Sequence, residues 1–293
     1  MLKIGDIIGD KYHVISLLGK GGMGTVYLCR EMKSSSFFAV KEIKKDKRAY
    51  NYEADILKRL KHKSVPRLYE TFETSSCFYM VLDYIEGETL KDKVLKGTLG
   101  QLEIMRILLD LIEVLEYIHS QSPAIVYGDL KPNNVIIKPN GEVVLIDYGT
   151  SRPYDYKKKQ AEVYMGSLGY AAPEQYGHGI ITPAADIYGL GAVLYYIFLK
   201  KGPDNAMEAI KERNYPDTIP LKYRYIIRRS LQIEPLDRYI SIEEFRKDLL
   251  SKRDFYEDYR MLSLANSMEE GKTIEFFRMP DYNYYRSSGT AGI

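Results

Sequence analysis

The stretch Gly19-Lys20-Gly21-Gly22-Met23-Gly24-Thr25-Val26-Tyr27-Leu28-Cys29 separates two fold classes. Its glycines spell G-x-G-x-x-G, a pattern common to several nucleotide-binding folds and to ordinary turns. In a dinucleotide-binding fold a helix follows the third glycine. Here Thr25 to Cys29 is β-branched and aromatic, so a strand follows and the glycines form the tip of an antiparallel hairpin. No Gly-Lys-Ser/Thr ending is present, which removes the phosphate-binding loop of many NTPases. The loop reads as a backbone cradle for a phosphate chain or as a plain Gly-rich turn, and its surroundings decide between them.

Working outward, short runs rich in β-branched and aromatic residues predict strands at Tyr12 to Leu18, Thr25 to Arg30, Ser36 to Ile43, Arg67 to Phe72 and Phe78 to Tyr84. Between the third and fourth, Ala49 to His62 carries Ile56, Leu57 and Leu60 at helical spacing, which predicts one helix packed on a sheet. After Gly87 the period changes. Ile104, Leu108, Leu111, Leu115 and Ile118 mark a long helix, and further helices are predicted at Pro183 to Leu199, Leu221 to Gln232 and Ser241 to Lys252. Val135 to Ile137 and Val143 to Ile146 flank Asn140-Gly141 as the arms of a hairpin. A small β-rich lobe precedes a larger helical one.

The 293 residues carry 42 Lys and Arg against 40 Asp and Glu, a net charge of +2 that gives no global pull toward nucleic acid or an anionic membrane. The longest apolar run, Leu190 to Leu199, is about half of the ~20 residues that a membrane span needs. No membrane span and no nucleic-acid partner are therefore expected. The N-terminus lacks a signal-peptide pattern, and Cys29 and Cys77 are too few for a disulfide framework, so a reducing, cytoplasmic setting is the expectation.

Chemistry-bearing residues gather at three places. Lys41 lies in the strand Phe38-Ala39-Val40-Lys41-Glu42-Ile43, where a lone lysine would ordinarily snorkel at an edge. Glu53, however, shares a helical stripe with Leu57 and Leu60, so its carboxylate faces the packed side and needs a cation, for which Lys41 is the candidate. Further on, Tyr127-Gly128-Asp129-Leu130-Lys131-Pro132-Asn133-Asn134 is followed, after the hairpin, by Asp147-Tyr148-Gly149. Two acids, an amide and a lysine near strand ends suit oxygen coordination of Mg²⁺ and a carboxylate that orients a hydroxyl.

Taken together, these motifs resemble the signature set of protein kinases, and the chain looks like a bacterial eukaryotic-like Ser/Thr protein kinase over about Tyr12 to Lys252. The resemblance implies an α+β, two-lobed protein-kinase-like fold. Residues 1–85 would form the ATP-binding lobe, an antiparallel sheet with one helix. Residues 86–252 would form the larger helical lobe, and 253–293 a C-terminal extension of unknown role. The implied cofactors are ATP and Mg²⁺, with Mn²⁺ as an alternative ion, and the implied partners are proteins phosphorylated on Ser or Thr.

By the same resemblance, the nucleotide would be held by Gly19, Lys20, Gly21, Gly22, Gly24, Val26 and Ala39, with Lys41 on the α/β-phosphates and Glu53 fixing Lys41. Leu82 would stand at the back of the adenine pocket, beside the Asp83 to Ile85 hinge. Asp129 would be the catalytic base, and Asn134 and Asp147 the metal ligands. Lys131 and Ser167 resemble the pair that Ser/Thr kinases place beside the acceptor hydroxyl. Glu174 of Ala172-Pro173-Glu174 would pair with Arg238, and Asp186 would brace the catalytic loop from beneath.

Two departures stand out. Tyr127-Gly128-Asp129 replaces the usual His-Arg-Asp, so the arginine that often receives an activation-segment phosphate is missing, and Tyr148 replaces a phenylalanine. The expectation is a kinase, with autophosphorylation, whose activity depends little on that switch. Two other readings stand beside it: a nucleotide-binding pseudokinase scaffold, motivated by Tyr127-Gly128, and a small-molecule phosphotransferase, motivated by Gly128-Asp129-Leu130 and opposed by Lys131 and Ala172-Pro173-Glu174.

Overall fold

The computed structural model describes residues 2–45, 50–97, 99–154, 166–177, 179–203 and 219–252. The expected extension, residues 253–293, lies outside the described residues.

The N-terminal part is a six-stranded antiparallel sheet. Its strands are β1 (Ile7–Ile8), β2 (Tyr12–Gly21), β3 (Gly24–Glu31), β4 (Phe37–Lys44), β5 (Leu68–Glu73) and β6 (Cys77–Asp83), in the order β1-β2-β3-β4-β6-β5. Alternation does the work: in β3, Thr25, Tyr27 and Cys29 are buried between more exposed neighbours. One sheet face closes over Tyr12, Val14, Tyr27, Cys29, Val40, Tyr79 and Val81. Against the other lies α1 (Tyr50–Arg59), with Ala54 packed on Ile43, Phe78 and Met80. The predicted strands are all present, and β2 continues three residues further than its apolar pattern, to Gly21.

The rest is mainly helical: α2 (Leu90–Lys96), α3 (Gln101–His119), α4 (Ala184–Leu199), α5 (Leu221–Ser230) and α6 (Ile242–Leu250). The long helix is the centre of the larger core, with Ile104, Leu108, Leu111, Leu115 and Ile118 all buried, as their spacing predicts. Ser241 caps α6 by accepting from the Glu244 N–H. Short strands thread this lobe: β7 (Glu88–Thr89), β8 (Ile125–Val126), β9 (Val135–Ile137), β10 (Val143–Leu145) and β11 (Arg152–Pro153). The predicted hairpin is β9–β10, pairing Val135 with Leu145 and Ile137 with Val143, and Gly141 takes φ +82° at its turn.

Helix α2 is absent from the sequence-based expectation. At seven residues it is too short to display a period, and it begins because the Thr89 hydroxyl accepts from the Asp92 N–H. Among the described residues no helix is long and apolar enough to cross a membrane. The apolar run at Leu190 to Leu199 is part of α4, whose buried positions lie in the core of this lobe.

Candidate active site

A cleft of about 1320 Å³ opens between the sheet and the helical lobe. Its roof is the β2–β3 hairpin, from Gly19 to Gly24, with Val26 and Ala39 from β3 and β4. Leu82 and the 83–85 segment form its back, and Asp129, Lys131, Asn134, Asp147 and Ser167 line its floor. The nucleotide-binding, metal and catalytic residues named from the sequence therefore line one space, whereas Asp186, Glu174 and Arg238 lie outside it. Leu18, Met23, Leu168 and Tyr170 line it too, although none of them was named as a site residue from the sequence.

The roof is built by register. Val26 pairs with Lys41 and Ala39 with Leu82, so neighbouring strands present an apolar surface with the Lys41 ammonium in it. Gly24 must be glycine: a Cβ there would sit 2.6 Å from the Glu42 carbonyl oxygen, whereas Gly19, Gly21 and Gly22 face open space. At the back, the Asp83 carboxylate accepts from the Arg67 N–H at 2.9 Å and the Tyr69 hydroxyl at 2.7 Å, so this acid braces β6 against β5.

Lys41 is the electrostatic centre. Its Nζ donates to Glu53 Oε1 at 2.8 Å and Oε2 at 2.6 Å, and to Asp147 Oδ1 at 2.7 Å. The Lys41 and Glu53 side chains are 5% and 3% exposed, so neither charge could stand there alone. Burial by itself would favour neutral Lys41, but the Glu53 and Asp147 carboxylates outweigh it and hold the ammonium above its usual range. Burial likewise opposes ionised Asp147, and Lys41 more than offsets this, so its carboxyl is held below the usual range. Asp147 takes φ +62°, a left-handed conformation that aspartate tolerates better than most residues.

On the floor, Asp129 is buried and fully partnered. Oδ2 accepts from Lys131 Nζ at 2.6 Å and Asn134 Nδ2 at 3.1 Å, and Oδ1 accepts from the Ser167 N–H at 3.2 Å. Lys131 also donates to Ser167 Oγ at 2.6 Å. A carboxylate, a cation and a hydroxyl thus meet within hydrogen-bond reach of one another.

The loop carrying Asp129 is held from below. Asp186, buried in apolar α4, accepts from the Tyr127 N–H and the Gly128 N–H, each at 2.8 Å, and His119 Nε2 lies 2.8 Å from the same carboxylate. Tyr127 donates its hydroxyl to the Ile146 carbonyl, one residue before Asp147, and its ring meets Tyr148 edge to face at 5.2 Å. Further out, Arg238 pairs with Glu174 through two bonds of 2.7 and 2.8 Å, both side chains buried.

Comparisons with known proteins show which family carries these parts. The model of the protein kinase domain matches residues 12–252. The chain belongs to the protein kinase domain family. Among its relatives, the kinase domain is 26% identical over 272 residues to "Serine/threonine-protein kinase PrkC" of Bacillus subtilis, covering 86% of this chain and 42% of that protein. It is 27% identical over 269 residues to "Serine/threonine-protein kinase PknB" of Mycobacterium leprae, covering 83% and 43%. With "Serine/threonine-protein kinase RUNKEL" of Arabidopsis thaliana it shares 35% identity over 203 residues, covering 68% and 15%. The chain spans less than half the length of these curated relatives.

A kinase domain uses ATP with a divalent metal, and the cleft fits both. Among the described residues no group of three or more His, Cys, Asp or Glu could hold a metal by itself. One or two oxygen ligands beside substrate phosphates is, however, how Mg²⁺ is usually held. The Asp147 side chain is 40% exposed toward the cleft. Asn134 turns its amide nitrogen to Asp129, donating to that residue's carbonyl at 2.9 Å, so its oxygen is the end that a cation would meet.

Proposed function

We propose that this kinase domain is an active Ser/Thr protein kinase, transferring the ATP γ-phosphate to Ser and Thr hydroxyls of proteins and of itself. The observation that carries the reading is the convergence of Lys41, held by Glu53, with Asp147, Asp129, Lys131 and Ser167 on one cleft. Each part has a task in a reaction whose catalysis is mostly positioning and electrostatics.

In this reading the Gly19 to Gly24 loop, including Lys20, Gly21 and Gly22, covers the phosphates. Val26, Ala39 and Leu82 clasp the adenine, and the backbone of Asp83 to Ile85 reads its edge. Lys41 binds the α/β-phosphates. Asp147 and Asn134 would hold the divalent ion, Mg²⁺ with Mn²⁺ as an alternative, and that ion would supply charge to offset the phosphates. Asp129 orients the acceptor hydroxyl and receives its proton. Lys131 steadies Asp129 and places positive charge near the transferring phosphoryl, and Ser167 keeps Lys131 in line.

The lobes would divide at residue 85, with Ile56, Leu57, Leu60 and Val65 of the first packing into the core of the second, and the kinase domain would end at 252, where the family match ends. A cytoplasmic site of action is part of the proposal, supported by ATP use and by two free cysteines. Independence from the activation-segment phosphate is supported by Gly128, which offers no guanidinium to receive one.

The test is intact mass and phosphosite mapping after incubation with Mg²⁺, ATP and a generic acceptor protein, alongside Asp129→Asn. Phosphoserine or phosphothreonine on the acceptor, lost in Asp129→Asn but kept after phosphatase pretreatment of the enzyme, is expected. ATP binding without transfer would identify a scaffold, and transfer only to an aminoglycoside would identify a small-molecule enzyme; either overturns the proposal.

A further inference from the structure

Gln175 follows Ala172-Pro173-Glu174 and belongs to none of the motifs above, yet only 2% of it is exposed and both ends of its amide are used. Oε1 accepts from the Ala172 N–H at 2.9 Å, and Nε2 donates to the Gly128 carbonyl at 2.7 Å. The second bond spans 47 positions and joins the end of one segment to the loop that carries Asp129.

What lies around that bond gives it meaning. Gly128 precedes Asp129, and Gly166 precedes Ser167. A Cβ on Gly166 would stand 3.0 Å from Gln175 Nε2 and 3.3 Å from the Gly128 carbonyl oxygen, so both glycine backbones pass against the same amide. Gly128 takes φ +80°, a left-handed conformation that few other residues adopt readily. One residue onward in each segment, the Ser167 N–H meets Asp129 Oδ1 at 3.2 Å and Lys131 bridges Ser167 to Asp129. The amide therefore clamps the two chains immediately before the point where their side chains must agree.

We infer that Gln175 is a positioning residue for phosphoryl transfer, acting through Gly128 and Gly166 to fix the separation of Asp129 and Ser167 on the acceptor side of the cleft. It makes a neutral, permanent link between catalytic loop and acceptor segment, where the missing arginine would have made a charged and switchable one. The inference rests on the kinase reading above. A buried carbonyl that loses its donor must find another, and the loop moves to do so. Misplacement of reacting groups by about 1 Å can cost 10²-fold in rate.

The experiment compares Gln175→Met and Gln175→Glu with wild type in the full chain, measuring acceptor kcat/KM at saturating ATP and, separately, nucleotide Kd. At pH 8 the acceptor kcat/KM should fall about 10- to 100-fold in both variants, with nucleotide Kd within about twofold of wild type. As pH is lowered from 8 to 6, the buried carboxyl of Gln175→Glu regains a proton and can again donate to the Gly128 carbonyl. Its activity relative to wild type should rise, and that of Gln175→Met should not. Gln175→Asn, which keeps the amide but withdraws it by one methylene, is the milder variant should the others fail to fold; the same loss is expected of it.

Folded variants with acceptor kcat/KM within twofold of wild type overturn the inference while leaving the kinase reading intact. A parallel loss of nucleotide affinity also overturns it, since that marks general loosening. A wild-type chain without phosphoryl transfer overturns the kinase reading, and this inference with it.

Discussion

Lys41 Nζ lies 2.7 Å from Asp147 Oδ1, a bond across 106 positions that joins the central strand of the sheet to the floor of the cleft. The same nitrogen holds both oxygens of Glu53. One ammonium thus ties strand β4, helix α1 and the Asp147 turn into a single electrostatic unit.

Replacement of that ammonium tests the unit. Lys41→Met should abolish measurable transfer and leave buried Glu53 without its cation, costing about 3 to 5 kcal/mol unless the carboxyl protonates. Urea denaturation at pH 7 and pH 5 would reveal both effects: the stability deficit should shrink at the lower pH, where protonating the unpaired Glu53 is easier. A deficit below about 1 kcal/mol at pH 7 would contradict the burial argument.

The glycines of the roof should separate into structural and catalytic ones. Gly24→Ala drives a Cβ into the Glu42 carbonyl and should lower the melting temperature, whereas Gly21→Ala meets open space and should leave it unchanged. Equal melting temperatures for the two variants would be evidence against the registered β2–β3 hairpin.

Glu174→Gln should be among the most damaging isosteric changes in the helical lobe. Arg238 is wholly buried and spends its three remaining N–H groups on the carbonyls of Gln232, Ile233 and Ala184, so no water can replace the lost charge. A loss of about 3 to 5 kcal/mol in chemical denaturation is expected, with nucleotide affinity in the surviving folded fraction little changed.

The two thiols should differ in reactivity. Cys29 is fully buried under the sheet, and desolvation pushes its pKa up to about 12, so at pH 8 almost none of it is thiolate. Cys77 is partly exposed. Iodoacetamide should alkylate Cys77 within minutes and Cys29 only after denaturation, which peptide mapping would read directly. Rapid modification of both in the folded chain would place Cys29 elsewhere.

Much of this was legible in the residues, for definable reasons. The reading of Thr25 to Cys29 as a strand rests on side-chain alternation, a local property, and it survives folding intact. Glu53 announced its burial by sharing a stripe with Leu57 and Leu60, and buried charge demands a partner. Helix α2, by contrast, is set by one capping hydroxyl, and strands β8 and β11 are two residues each, too short for any period. The brace formed by Asp186 followed only from family resemblance, because nothing local says which N–H groups a helix-borne acid will meet. Gln175 left no trace at all: its partner is a backbone carbonyl, and every residue has one.

Asp186 carries a last implication. The one acid in a helix otherwise made for an oily interior receives two amide protons of the Tyr127–Gly128 turn, so that turn is templated by the packing of α4. Maturation of the hydrophobic interior and assembly of the reactive loop are consequently one cooperative event. A chain whose oily interior has closed has, by the same act, shaped that turn.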